Sequence, residues 1–383
     1  MSIETWVREA WQAGASDLHL EPGLPRAIRV DGKLRFVGQP IPPANLHAAA
    51  QDLVPDWRAF LERRSADLSR RIAGVQCRVN VLQSWRGVGL AVRLLASFQP
   101  TLQKLNLHPE LGQLVQRRHG LVLVCGATGS GKSSTLAALM HELDQGQPRH
   151  VLTLEEPIEY VLRGKRCLFR QREVGQHTPS FEQGLLDALR EDPDVLLVGE
   201  MRRPRTMQLT LDAAETGHLV LATMHSSSAA EALQRLVASF VPEAQAAVRV
   251  QLADCLAAVV CQRLVHRGDL GFRVPELEVL TANAAVRNHL RNGDFHKLAA
   301  TLEIGAGEGM WTFARYRRWL DQRGGFVKPK VEKLPQERPA PPLPSSSQRE
   351  LASAQRDAGT IDLDAGGGDD LESLIAQIER RGN

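Results

Sequence analysis

A glycine-rich segment that ends in a lysine and a serine carries the clearest chemistry of this sequence. Residues 126–133 read GATGSGKS, follow the apolar run at 121–124 and lead into the helix-forming stretch 134–143. A strand, a glycine-rich loop and a helix in this order are typical of a phosphate-binding P-loop. Backbone N–H groups of such a loop converge on the β- and γ-phosphates, and the helix N-terminus adds its dipole. The segment therefore predicts a site for a nucleoside triphosphate and Mg²⁺.

Two residues of this loop have individual roles. Lys132 supplies a positive charge to the phosphates, and the Ser133 hydroxyl is predicted to bind Mg²⁺. The full set predicted to bind the nucleotide is Gly126, Ala127, Thr128, Gly129, Ser130, Gly131, Lys132, Ser133 and Ser134.

Acidic residues follow two further apolar runs, as a nucleotide-hydrolysing site requires. The run at 151–154 ends in the acidic segment 155–159, EEPIE, and the run at 195–198 ends in Gly199-Glu200-Met201-Arg202. Acids that lie just beyond the carboxyl ends of parallel strands face the crevice beside the P-loop. Glu200 therefore fits the acid that organises Mg²⁺, and either Glu159 or Glu156 fits the residue that activates water.

Histidines and arginines complete the set of candidate residues. The run at 219–223 is preceded by His218 and followed, one residue later, by His225, which could contact the γ-phosphate or the attacking water. Arg78, Arg86 and Arg93 lie on or between strand-like pieces far from the P-loop in sequence. They could act as arginine fingers across a subunit boundary, but their spacing alone favours pairing with local carboxylates.

The composition indicates a cytoplasmic protein with at most peripheral membrane contact. The hydrophobic content of 43% and charged content of 24% are ordinary for a soluble protein, and no 18-residue window is uninterruptedly apolar. The five cysteines form no C-x-x-C pair and are predicted to be reduced core residues. A formal net charge of +3 gives no reason to expect direct nucleic-acid binding.

The order of the predicted elements indicates an α/β fold with two domains. Residues 1–98 combine a short helix at 3–12 with strand-like pieces at 17–20, 27–30, 34–37, 77–82 and 89–94, and the turn VDGK at 30–33 predicts a hairpin. Residues 99–110 form a linker. Residues 111–327 alternate strands and helices as in a mainly parallel sheet, with a helical C-terminal part at 254–264, 284–290 and 311–320.

A proline-rich tail is predicted for residues 328–383. It contains runs of serine and glycine, which are typical of a flexible linker, followed by Leu371, Leu374, Ile375 and Ile378 at helical spacing. This short amphipathic helix could dock on its own domain or bind a partner, and the sequence favours neither.

The order of these motifs resembles the type II/IV secretion ATPase superfamily, and within it the retraction ATPases of type IV pili. The likeness extends from the segment ASDLHL at 15–20 to about Leu320. Assembly and secretion ATPases of the superfamily usually carry a four-cysteine zinc insertion, which this chain lacks, and residues 285–290, AVRNHL, resemble a C-terminal motif of the retraction branch.

The resemblance implies a fold and a set of roles. It implies a homo-hexameric ring in which a PAS-like N-terminal domain precedes a RecA-like P-loop ATPase domain. ATP and Mg²⁺ would be the nucleotide and metal, and an inner-membrane platform protein, and in some systems a second retraction ATPase, would be partners. Matching motifs imply that Glu159 is the catalytic base and that Glu200 is the carboxylate that organises Mg²⁺. They also imply catalytic roles for His218 and His225, and they imply that Arg78 and Arg93 reach the nucleotide.

Two other functions remain open on the sequence alone. One is a motor of a related filament, such as a secretion pseudopilus or a DNA-uptake pilus. The other is a nucleotide-responsive adaptor that joins another motor. The complete set of catalytic motifs argues against an adaptor, and the missing cysteines argue against secretion. The resemblance implies an ATPase that powers pilus retraction and twitching motility.

Overall fold

The computed structural model describes residues 2–30, 32–95 and 100–328, and the chain folds there around two β-sheets. Contacts join both sheets into a single unit. The predicted domain boundary at residue 98 and linker at 99–110 therefore stay predictions. The tail predicted from residue 328, with its terminal helix, lies outside the described residues except for Lys328.

The first sheet has six antiparallel strands in the order β3-β2-β1-β6-β5-β4. Trp6, Val7, Leu18, Leu46 and Val79 are among its buried core residues. The elements are α1 (Ile3–Gln12), β1 (Asp17–Leu20), β2 (Arg26–Val30), β3 (Lys33–Val37), α2 (Pro43–Leu53), α3 (Trp57–Arg63), β4 (Ser65–Ile72), β5 (Val75–Ser84) and β6 (Gly87–Leu94).

The predicted hairpin and strand pieces of this sheet are confirmed. Val30 pairs with Lys33 across a two-residue turn, and Gly32 has a φ of 78°, which favours glycine. Asp31, the other turn residue, lies outside the described residues. Strand β4 was not predicted because its sequence, SADLSRRI, is too polar to show an apolar alternation.

The second sheet has seven strands in the order β13-β12-β7-β11-β10-β8-β9. All neighbours are parallel except the edge pair β12 and β13. Its elements are β7 (Gly120–Cys125), α4 (Lys132–Gln145), β8 (His150–Glu155), β9 (Leu168–Glu173), α5 (Phe181–Ala188), β10 (Val195–Val198), α6 (Pro204–Glu215), β11 (Leu219–Met224), α7 (Ala229–Ala238), α8 (Pro242–Cys255), β12 (Leu256–Arg267), β13 (Phe272–Thr281), α9 (Ala284–Asn292), α10 (Leu298–Ile304) and α11 (Phe313–Gln322).

Helices cover both faces of this sheet, which explains its near-continuous apolar strands. Leu121 and Leu123 of β7 pack in a cluster that includes residues of α5 through α10. Val122 and Val124 pack on the opposite face, against residues of α4 and α11. The predicted α/β fold is confirmed, and the carboxyl ends of β7, β8, β10 and β11 meet at one edge.

The helix predicted at 254–264 is wrong. Residues from Leu256 onward form β12, which pairs in parallel with β7 and in antiparallel with β13. A short, fully apolar run such as LAAVVC has no period that separates a buried strand from a buried helix. The other two C-terminal helices are confirmed as α9 and α11, although α11 begins at Phe313 and not at Trp311.

Candidate active site

The P-loop connects β7 to α4 at the carboxyl edge of the second sheet, as predicted. The φ values are 148° at Gly126, 77° at Gly129 and 92° at Gly131, and residues with a side chain rarely adopt such angles. A Cβ atom on Gly126 would lie 2.4 Å from the carbonyl oxygen of Gln262. The loop therefore requires glycine both for its backbone angles and for its close approach to the neighbouring strand.

The residues of the loop fit the phosphates of a nucleotide. Lys132 begins α4, and its Nζ donates to the carbonyl oxygens of Gly126 and Ala127 at 2.9 and 3.1 Å, so the ammonium group lies over the loop. The Ser130 hydroxyl is buried and has no hydrogen-bond partner in the structure. Burial lowers the pKa of Lys132, and the negative charges of Glu200 and Glu159 oppose that shift. An ammonium group and a helix N-terminus at a loop of backbone amides form a site for an anion.

A cleft beside the loop brings together most of the predicted residues. Thr128, Lys132 and Ser133 form one wall, and the ends of β8, β10 and β11 form the others. The remaining charged or phenolic side chains that line the cleft are Arg78, Glu155, Glu156, Glu159, Tyr160, Glu200, Arg202 and His225.

Glu200 lies between Arg202 and His225 at the end of β10. Its Oε2 is 2.7 Å from Nη2 of Arg202, and its Oε1 is 3.0 Å from Nε2 of His225. Burial by itself would raise the pKa of Glu200, but the hydrogen bond from Arg202 and the charges of Arg202, His225 and Lys132 hold it below its ordinary value. Glu200 is therefore an ionised carboxylate, which is the form that binds a divalent cation.

The acidic segment after β8 places three carboxyl groups along the cleft. Glu155 accepts hydrogen bonds from Thr153 Oγ1 at 2.7 Å and Gln171 Nε2 at 3.0 Å, and burial raises its pKa. Glu156 and Glu159 line the cleft. The structure thus leaves both candidates for the water-activating residue in place, and the choice of Glu159 stays a prediction.

Tyr160 connects the acidic segment to the P-loop helix. Its hydroxyl is 2.7 Å from Oγ of Ser134, one of the residues predicted to bind nucleotide. Burial raises the pKa of Tyr160, so the phenol is neutral. No sequence pattern singles out this residue, because the contact depends on how α4 and the acidic segment pack.

Of the two arginines predicted to reach the nucleotide, Arg78 lines the cleft and Arg93 does not. Arg93, the cross-strand partner of Arg78 in β6, is 2.9 Å from Oδ1 of Asp17 and has a 66% exposed side chain. Arg86 stacks over the exposed ring of Trp85 at the tip of the same hairpin. The role predicted for Arg93 stays a prediction, and its observed contact is the local carboxylate pairing that spacing alone had favoured.

His218 and His225 lie beyond opposite ends of β11, a central strand of the second sheet. His225 follows β11 at the P-loop edge, while His218 precedes β11 and places its Nδ1 3.0 Å from the carbonyl oxygen of Ala213. Because β11 runs parallel to β7 and in register with it, His218 is seven residue positions, about 23 Å, along the strand from Gly126 at the start of the loop. A catalytic role of His218 would thus require the cleft of another copy of the chain, and it stays a prediction.

Other candidate sites can be assessed for the described residues. Within residues 2–30, 32–95 and 100–328, no group of three or more His, Cys, Asp or Glu side chains is placed to hold a metal ion. All five cysteines are buried and free, as predicted. None of the helices described is both long and apolar enough to cross a membrane.

A family model matches the part of the chain that forms the cleft. The model of the type II/IV secretion system protein family matches residues 1–292, which is most of the chain and includes the whole cleft. The chain belongs to this family. The family resemblance predicted from the motifs is confirmed.

Individual relatives point to pilus motors. The chain is 40% identical to the type IV pilus retraction ATPase PilT of Pseudomonas aeruginosa over 85% of this chain and 95% of that protein. It is 33% identical to the type IV pilus ATPase PilU of the same species over 82% of this chain and 83% of that protein. A crystal structure of the pilus retraction motor PilT with bound ADP superposes with a TM-score of 0.74 at 36% identity, covering 83% of this chain and 96% of that one.

Proposed function

We propose that this protein is an ATP-hydrolysing motor that powers retraction of a type IV pilus and twitching motility. The observation that carries the proposal is the cleft itself, in which Lys132 and Ser133 of the P-loop face the ionised carboxylate of Glu200. Similarity to PilT over most of both chains supports pilus retraction as the work that the hydrolysis drives.

The P-loop would hold the phosphates of ATP. Backbone N–H groups of residues 126–133 and the N-terminus of α4 would surround the β-phosphate, and Lys132 would turn from the carbonyl oxygens of Gly126 and Ala127 to the phosphates. Ser133 and Glu200 fit Mg²⁺, one as a hydroxyl ligand and one as a carboxylate. When bound, Mg²⁺ would neutralise negative charge on the phosphates.

Hydrolysis requires a group that orients and deprotonates water. Glu159 lines the cleft and is proposed as this base. His225 would contact the attacking water or the γ-phosphate while its ring is held near Glu200. The Arg78 guanidinium lies in the same cleft and would stabilise the negative charge of the transition state.

The oligomer and the partners are parts of the proposal. We propose a homo-hexamer at the cytoplasmic face of the inner membrane, where it would act on a platform protein of the pilus. A ring would also give His218 and Arg93, which do not line the cleft of their own chain, a route to a neighbouring site. A second retraction ATPase is a further proposed partner.

A deletion strain tests this function most directly. We expect it to display excess surface pili that do not retract and to lose twitching, because assembly continues without depolymerisation. The wild-type chain should restore twitching and a Lys132→Ala chain should not. Lys297→Ala is the matched control, because that lysine pairs with Asp294 on the surface and should leave rescue intact.

Two outcomes would overturn the proposal. Loss of assembled pili that persists when retraction is blocked would indicate an assembly motor. Full rescue by Lys132→Ala would show that the protein acts without hydrolysis, as an adaptor would.

A further inference from the structure

A buried glutamine on the strand beside the P-loop has no role in the function proposed so far. Gln262 belongs to β12, which runs parallel to β7 so that Cys261 pairs with Cys125, the residue before the loop. Gln262 is 4% exposed and follows the apolar residues Val259, Val260 and Cys261 in sequence. A buried amide is unfavourable unless its polar atoms are bonded, so the partners of Gln262 explain why it is tolerated there.

Both ends of the amide bond to the loop and to the helix that follows it. Nε2 donates to the carbonyl oxygen of Ser130 at 2.7 Å, and Oε1 accepts from Oγ1 of Thr135 at 2.6 Å. Because a carbonyl oxygen can only accept, the nitrogen must face Ser130, and this fixes the orientation of the amide. Thr135 is 1% exposed and lies in the first turn of α4, so one side chain holds both the loop and the start of its helix.

This contact orients a backbone N–H of the loop. The peptide between Ser130 and Gly131 is planar and trans, so its N–H points away from its carbonyl oxygen. When Gln262 holds that oxygen against β12, the N–H of Gly131 is turned to the opposite side, which is the side of the loop that would surround a phosphate.

The packing leaves little room for another arrangement. A Cβ atom on Gly131 would lie 2.7 Å from Nε2 of Gln262, and one on Gly126 would lie 2.4 Å from the Gln262 carbonyl oxygen. The loop therefore contacts Gln262 through both its side chain and its backbone, and two glycines make this approach possible.

We propose that Gln262 is a positioning residue that presets the P-loop for the β-phosphate of a nucleotide. The proposal rests on the nucleotide site of the proposed function, and it assigns part of the affinity of that site to a residue outside the loop. Loss of the amide would leave the Ser130 carbonyl unbonded and free to rotate, so the Gly131 N–H would no longer be held toward the ligand.

The test compares two glutamine-to-methionine variants of the full-length protein. Gln262→Met keeps the size of the side chain and removes both hydrogen bonds. Gln251→Met is the matched control, because Gln251 bonds to Asp212 and Glu215 on the far side of the second sheet from the loop. ADP affinity is measured by calorimetry with Mg²⁺, together with kcat, KM for ATP and the thermal unfolding midpoint.

We expect Gln262→Met to weaken ADP binding about tenfold and to raise KM for ATP by a similar factor, with kcat reduced less than about threefold. The Gln251→Met protein should bind ADP like the wild type. Equal ADP affinity in Gln262→Met and wild type would overturn the proposal, and so would equal losses in the two variants.

A second variant keeps the test decisive if Gln262→Met fails to fold. Thr135→Val removes the hydroxyl that orients Oε1 and leaves Gln262 in place, and we expect ADP binding to weaken about threefold. No change in ADP affinity would then contradict the proposal. A wild-type protein that binds ADP but releases no phosphate from ATP would refute the proposed function, and the ADP comparison would still decide the role of Gln262.

Discussion

The two sheets contribute to the cleft in very different ways. The second sheet supplies the P-loop, the acidic segment, Glu200 and His225 from the ends of four strands that meet at one edge. The first sheet supplies one charged residue, Arg78. Most of the cleft is thus built at the carboxyl ends of the strands of one sheet, and one cationic group comes from the other sheet.

The two sheets hold their cleft residues through different contacts. Glu200 is held by Arg202 and His225 within the second sheet, so its geometry is set before any ligand arrives. Arg78 lies on β5 of the first sheet. That sheet is connected to the second one by Gln176, which follows β9 and hydrogen-bonds to the Arg70 side chain and the Ser69 carbonyl oxygen of β4.

The largest effect is expected inside the second sheet, at the proposed base. Glu159→Gln should lower kcat for ATP hydrolysis by up to about 10⁴-fold, because the amide cannot take a proton from water. ADP affinity should stay near that of the wild type. Glu156→Gln is the control from the same segment, and a larger loss of kcat in Glu156→Gln than in Glu159→Gln would transfer the role to Glu156.

The next effect tests the contribution of the first sheet. Arg78→Ala should lower kcat about 10²-fold, because it removes a cation from the cleft. Arg93→Ala is a closely matched comparison, since the two residues are of one type and face each other across β5 and β6. We expect a smaller loss for Arg93→Ala, since that side chain pairs with Asp17. If Arg93→Ala lowered kcat as much as Arg78→Ala does, the contact of Arg93 with Asp17 would not be the one made during hydrolysis.

The smallest effect is expected at the histidines that flank β11, and it compares the two ends of that strand. His225→Asn should lower kcat about tenfold, because the ring contacts Glu200 inside the cleft. In a dilute sample shown by light scattering to be monomeric, His218→Asn should leave ADP affinity unchanged, since His218 lies beyond the opposite end of β11. Reduced ADP affinity of monomeric His218→Asn would contradict the placement of this residue away from the site.

The sequence predicted the second sheet well where its patterns are local. The strands at 121–124, 151–154, 195–198 and 219–223 were each found within two residues at either end, because apolar runs bounded by turn residues mark buried parallel strands. The positions of Lys132, Ser133, Glu200 and His225 at one edge followed from strand order and the P-loop motif.

What could not be predicted depends on contacts between distant segments. The helix assigned to 254–264 is a strand because β7 and β13 offer it hydrogen bonds on both sides, which no local pattern reports. The role of Gln262 depends on its bonds to Ser130 and Thr135, which are more than 120 residues away in sequence. Likewise, Arg78 and Arg93 look equivalent in sequence, and only the packing of the first sheet separates them.

The most direct test of the account is phosphate release by the purified full-length protein with ATP and Mg²⁺, compared with Lys132→Ala under the same conditions. The wild type should release phosphate steadily, and Lys132→Ala should be reduced to background, because the P-loop lysine is proposed to bind the transferred phosphate. Phosphate release by Lys132→Ala at the wild-type rate would show that the cleft at the edge of the second sheet is not where ATP is hydrolysed.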